Sequence, residues 1–302
     1  MFFRLKRDAV KAFYRWRCAR IDETAPLKPT PANLVFVSMV SHADLVMYLV
    51  AIKSIYSRIG CGRIVVLNDG SLTDTDKVSL ERHLGAPAII DISTVNTGDC
   101  PRGGCCERLL AIVDQSADAY VVQVDSDLLA VAELSEISDA VRQNRSFALS
   151  TKMGRHVIAL SAAEEAVRSS QSEHVQIMAE QNFPRLGYDG RRYIRGCAGF
   201  SGFARGSHTR SALETFSRDM QSLIGERWLD WGSEQVASNY LVANDREPIV
   251  LPYPKYANYD PGLSGDGTHL YHFIGDYRFT GGRYIKLSRQ VIAELSEPSA
   301  AS

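Results

Sequence analysis

Two carboxylates stand two residues apart at Asp125 and Asp127, with Ser126 between them and no basic residue beside them. Hard oxygens at that spacing can hold a divalent cation, and such a cation commonly carries a phosphate. The preceding run, Tyr120-Val-Val-Gln-Val124, is apolar and β-branched, as expected of a strand buried on both faces of a parallel sheet. In open α/β sheets ligands sit beyond the carboxyl ends of the strands, which is where this pair falls. The same spacing recurs at Asp74 and Asp76, but there it follows Thr73 in a polar loop at an expected helix start. Acids at such a place serve as caps and favour the helix dipole. Context separates the two pairs, not the pattern.

The elements that position the acidic pair follow an alternating α/β order from residue 33. Expected strands are Leu34–Ser38, Arg63–Leu67, Ala88–Ile92 and Tyr120–Val124. Between them, helices are expected over Asp44–Arg58, from the Thr73 cap to about Leu84 before Gly85, and from about Cys106 to Gln115. Strands separated by helices of this length predict a mainly parallel sheet with right-handed crossovers. Beyond Asp127 the pattern loosens into an α+β half. Strands are expected at Phe147–Thr151, Tyr193–Phe203, Pro248–Leu251 and His269–Ile274, with one surface helix over 161–181 and further helices over His208–Ile224 and Ser233–Val242. The repeated glycines in Tyr193–Phe203 suggest a strand that something approaches closely.

Composition bounds the functional class. The 302 residues carry a formal net charge of -1, which argues against a nucleic-acid binder. No apolar run reaches membrane-spanning length, and charges interrupt the N-terminal apolar residues, unlike a secretory signal. Six cysteines in a chain this long read as reduced thiols of a cytosolic protein. Residues 1–20 are distinct, with seven basic residues against Asp8 and interleaved Phe2, Leu5, Phe13 and Trp16. As a helix this segment either lies at an anionic membrane surface or packs its aromatic side on the domain. Thr24–Pro31 follows as an extended, proline-rich linker. The organisation expected is a helix and linker over 1–32, a domain over 33–287 and a tail over 288–302.

The Asn68-Asp69-Gly70-Ser71 turn after the second strand, then Asp125-Ser126-Asp127, then His272-Phe-Ile-Gly275-Asp-Tyr-Arg278 resemble nucleotide-sugar glycosyltransferases of the GT-A fold. The chain is most similar to the GT8-like group of glycogenin and bacterial lipooligosaccharide galactosyltransferases. The resemblance implies an α/β fold of Rossmann-like type with an α+β acceptor-side half. It also implies that Asp125, Asp127 and His272 bind Mn2+ (or Mg2+). Ser38, Asp69, Arg108, Ser126, Gly199, Gly275 and Arg278 are expected to bind the donor. Glu234 and Gln235 are expected at the reacting sugar, and Trp228 and Trp231 under an acceptor. Two oxygens and an imidazole leave coordination positions for phosphate, and Arg108 and Arg278 add charge-assisted hydrogen bonds to it. Glycines 196, 199 and 202 are expected to let the backbone approach a sugar ring.

Each residue also has a structural alternative: a plain β-turn for Asp69, a core histidine for His272, a dipole-favoured acid for Glu234 and a surface residue for Arg108. The sequence departs from the group at Cys197-Ala-Gly-Phe-Ser-Gly202 and at Arg278-Phe-Thr280. The Asn-Asp-Gly-Ser turn is more typical of inverting GT2-like enzymes, in which a carboxylate such as Glu234 acts as base. The function expected is metal-dependent sugar transfer from a nucleotide donor, with a UDP-sugar favoured, to a glycan or lipid-linked acceptor in surface polysaccharide or lipopolysaccharide synthesis. It is placed in the cytoplasm, with peripheral association at the inner membrane face through residues 1–20. The rivals are a sugar-nucleotide pyrophosphorylase and a non-catalytic sugar-nucleotide-binding module. Against the first, Ser38–Ala43 after the first strand has neither glycine nor cation.

Overall fold

A computed structural model describes residues 2–297, with side chains from residue 9 onward. In chain order the first half contains α1 (Phe2–Arg17), β1 (Leu34–Val40), α2 (Leu45–Ile59), β2 (Arg63–Asn68), α3 (Asp74–Leu84) and β3 (Ala88–Asp91). It continues through α4 (Cys106–Ser116), β4 (Tyr120–Val124), β5 (Leu128–Ala130), α5 (Ser135–Arg142) and β6 (Phe147–Leu149). The second half adds β7 (Val157–Ala159), α6 (Leu160–Glu165), α7 (Val175–Asn182), β8 (Arg192–Ile194), β9 (Cys197–Phe203) and α8 (Arg210–Ile224). It ends with α9 (Ser233–Ala243), β10 (Ile249–Val250), β11 (Tyr256–Asn258), β12 (Leu270–His272) and α10 (Arg283–Ser296).

Seven strands form the central sheet in the order β10-β6-β9-β4-β1-β2-β3, with β9 alone antiparallel to its neighbours. The expected mainly parallel sheet flanked by helices is present. Side-chain alternation along each strand feeds two cores. Phe36, Ile64 and Val122 face a layer that includes α2 and α10. Val35, Val65 and Val121 face α4, α8 and α9. The chain leaves β1 in one direction for β2 and β3 and returns on its other side as β4, so a crevice opens at the carboxyl ends of β1 and β4.

Several boundaries differ from those expected. The Tyr193–Phe203 run is two strands, because the chain breaks at Arg195-Gly196 and β8 pairs with β7 in a separate hairpin. The single surface helix over 161–181 is α6 and α7, divided by a polar stretch that includes Ser169, Ser170 and Ser172. A small sheet, β11-β12-β5, has no counterpart in the sequence reading apart from the strand at His269–Ile274. Its strands are three residues long, too short to show a period. Helix α10 runs through the boundary drawn at residue 288 and buries Val291 and Ile292.

The N-terminal segment packs on the domain by a face other than the one expected. Tyr14 and Cys18 are fully buried, whereas Phe13 is 48% and Trp16 69% exposed. The proline-rich linker is pinned, since buried Lys53 donates to Thr24 Oγ1 (2.6 Å) and to the Ala25 carbonyl (2.8 Å). The Asp74/Asp76 pair does what a helix start predicts: Thr73 and Asp76 form a reciprocal capping box on α3.

Candidate metal and donor site

Strand β4 ends at Val124, and the chain turns at once into β5, so Asp125, Ser126 and Asp127 occupy the sharp corner between two sheets. Strand β5 pairs antiparallel with β12, and the register sets His272 opposite Leu128. That pairing carries a histidine 145 residues away to the acidic corner, where His272 Nε2 lies 3.0 Å from Asp127 Oδ1 and 3.7 Å from Asp125 Oδ2. Ligand atoms of Asp125, Asp127 and His272 all lie within 4.8 Å of one another. Two carboxylate oxygens and one imidazole nitrogen suit Mn2+ or Mg2+, with open positions for phosphate oxygens. On donor chemistry the residues fit the cation expected of them.

The imidazole is held from behind. Its Nδ1 lies 3.1 Å from Asn258 Oδ1 and 3.2 Å from Cys197 Sγ, and Asn258 faces His272 in the β11–β12 register. An amide oxygen there can accept the Nδ1 proton, the arrangement that orients metal-bound histidines with Nε2 toward the cation. Asn258 was missed in the sequence because no spacing relates it to the acidic pair; only strand register does. Gly199 on β9 makes room for the ring, since a Cβ there would stand 2.3 Å from His272 Cε1. Gly202 similarly admits the Phe147 ring and the Tyr120 hydroxyl. These two glycines therefore accommodate the protein's own side chains.

Arg108, from α4, pairs with Asp125 and donates through Nη2 to Glu234 Oε1 (3.2 Å), which also accepts from Gln123 (3.3 Å). Arg278 pairs with Asp127. Both arginines thus sit on the acidic pair, within the crevice where phosphate contacts were expected, and Arg108 Nε is a buried donor without a partner. Burial works against ionisation of Asp127, yet His272 and Arg278 hold its pKa below the ordinary carboxylate value. Burial also disfavours a charged His272, but Cys197 and Asp127 beside it raise its pKa well above the ordinary value. For Glu234 burial prevails over the pull of Arg108, and its carboxyl is pushed up.

These groups line one cavity of about 660 Å³. It gathers Arg108, Asp125, Ser126, Asp127, Gly199, Glu234, Gln235, His272, Gly275, Arg278 and Trp231 from the expected set. Trp231 stands at its edge, 74% exposed, and Gln235 is fixed by Gln176, whose Oε1 accepts from it at 3.1 Å. No family model and no curated protein matches the chain. Among solved structures it is similar to the galactosyltransferase LgtC in complex with donor and acceptor sugar analogs. That match has 13% identity, covers 88% of this chain and 98% of the other, and scores a TM of 0.44. It is also similar to the bifunctional glycosyltransferase WbbM (15% identity, 88% and 53% coverage, TM-score 0.48). A third likeness is to mouse xyloside xylosyltransferase 1 (11% identity, 82% and 98% coverage, TM-score 0.47). At such distances the chemistry is read from the chain's own residues.

Three expected site residues lie elsewhere. Trp228 is 1% exposed and donates to Ser217 Oγ at 2.9 Å, packed edge-on against Phe216. It is a core residue between α8 and α9, because the turn before α9 directs only Trp231 outward. Asp69 is exposed and accepts from Ser71 N (2.9 Å) and Oγ (2.6 Å), an ordinary turn outside the cavity. Ser38 is buried within β1, paired in register with Val66, and its neighbour Met39 lines the cavity instead.

Proposed function

We propose that the chain is a metal-dependent glycosyltransferase acting on a nucleotide-sugar donor. The observation that carries this reading is the convergence of Asp125, Asp127 and His272 at the mouth of the β1–β4 crevice, facing Glu234 and Gln235 across one cavity. A bound Mn2+ or Mg2+ supplies Lewis-acid stabilisation of the departing diphosphate. Arg108 and Arg278 add cationic donors close by, able to pass from carboxylate to phosphate oxygens. Glu234 accepts from both Arg108 and Gln123, so its part is to hold that guanidinium in place. Gln235 presents an amide to the sugar side, fixed by Gln176 and the Ala198 amide. Trp231 offers an exposed aromatic face to an acceptor sugar. A UDP-sugar is the favoured donor, and a lipid-linked or glycan acceptor of surface polysaccharide or lipopolysaccharide synthesis is the favoured partner. The protein works at the cytoplasmic membrane face, although no described helix is long and apolar enough to cross a membrane.

A thermal-shift panel of UDP- and GDP-sugars with and without Mn2+ tests the reading. Stabilisation by one donor that depends on Mn2+ is expected; its absence across the whole panel would overturn the donor assignment.

A further inference from the structure

We infer that the outer face of α1, together with the adjoining face of α10, is a docking surface for anionic lipid. Helix α1 is anchored from within: Tyr14 stacks on Tyr284 at 4.7 Å and donates to Ser288 Oγ at 2.8 Å. Its opposite side presents Phe13 and Trp16, 5.8 Å apart, with the Arg17 guanidinium over both rings. Large aromatics are normally withdrawn from water, and a pair left 48% and 69% exposed under a cation suits the interfacial zone of a bilayer.

Charge selects the lipid. Among the described side chains α1 and α10 carry Lys11, Arg15, Arg17, Arg283, Lys286 and Arg289 against the single acid Glu294, in a chain of formal net charge -1, so the rest of the molecule is acidic. The contacts of Tyr14 with Tyr284 and Ser288 lay α10 beside α1, and Arg289, next to Ser288, is exposed. Anionic headgroups attract such a cluster, and the acidic remainder turns away. A two-fold contact between copies through this face would oppose like charges instead. The inner side of α1 reaches the cavity wall: Lys11, 16% exposed, pairs with Asp44 at 2.6 Å, and Asp44 lines the cavity.

This inference deepens the proposed function, but its test needs no donor, so the two fail separately. The full chain is sedimented with vesicles of phosphatidylglycerol and phosphatidylcholine, and with phosphatidylcholine alone. Pelleting with the anionic vesicles only, weakened by salt, is expected. Phe13→Ser with Trp16→Ser, or Arg17→Glu with Arg289→Glu, lowers the affinity at least about tenfold at unchanged Tm. Overturning results are wild-type protein left in the supernatant, equal binding to both vesicle types, or variants that pellet like wild type. A dimer in solution that the aromatic variant dissolves would assign the face to a second copy and overturn the lipid surface.

Discussion

Two buried clusters in this molecule draw on nearly the same side chains. At the carboxyl end of β4, Asp125, Asp127 and His272 converge on a cavity. At the opposite end of the sheet, just before β6, Ser146 meets Asp245 and His208. Read as an inventory, serine, histidine and aspartate suggest nucleophilic catalysis, but the geometry excludes it. Ser146 donates to Asp245, lies 3.1 Å from His208 Nε2 and accepts from the Ala204 amide at 2.9 Å, while His208 and Asp245 stand 3.8 Å apart. The hydroxyl is spent on holding strand ends together, and none of the three lines the cavity. In the other cluster the two carboxylates, although paired with Arg108, Arg278 and His272, open onto the cavity. A site is made by charged groups with open space before them, and residue types alone do not reveal which cluster has it.

The sharpest separation comes from removing one acid of each cluster. Asp127→Ala lowers Mn2+-dependent nucleotide-sugar hydrolysis at least about a thousandfold, the several kcal/mol that metal activation supplies. Asp245→Ala leaves activity per folded molecule unchanged and lowers stability by about 1–3 kcal/mol, the cost of stranding buried partners. Equal loss of activity in both variants would erase the distinction.

Proton linkage separates the clusters next. Burial pushes His208 from its ordinary value of 6.5 to about 4, so it is neutral in the fold. The unfolded chain binds more protons between those values. The stability from this group is therefore present above pH 6.5 and is lost as pH falls toward 4, by up to about 3 kcal/mol. Urea midpoints measured from pH 7 to 4.5 should fall accordingly, and His208→Asn should flatten that slope.

Within the metal cluster, Gly199→Ala forces a Cβ into the His272 ring and lowers Mn2+ affinity about a hundredfold by calorimetric titration. Unchanged affinity would mean that the ring has another place to stand. Asn258→Ala removes only the rear support of the imidazole, and a loss of about tenfold is expected in the same titration.

Much of the first half was legible because its strands and helices are long enough to show their periods. Tyr120–Val124 ends where the run of apolar residues ends, and α3 starts and stops at its Thr73 and Gly85 signals. Asp125 and Asp127 were legible as an acidic pair at the end of an apolar strand, and His272 through the resemblance of its motif to the GT8-like group. Asn258 and the exclusion of Trp228, Asp69 and Ser38 were not, because each depends on a side chain's direction, which sequence spacing leaves open in turns and short strands.

By itself, then, the sequence determined an α/β chain with an acidic pair at the end of a buried strand, and a basic, aromatic N-terminus. The tertiary structure decided which residues share a cavity and which face of α1 meets solvent. The reason is physical. Local periodicity is written in neighbouring residues, whereas the meeting of Asp127 with His272 depends on three-residue strands, β5 and β12, finding one register across 145 positions.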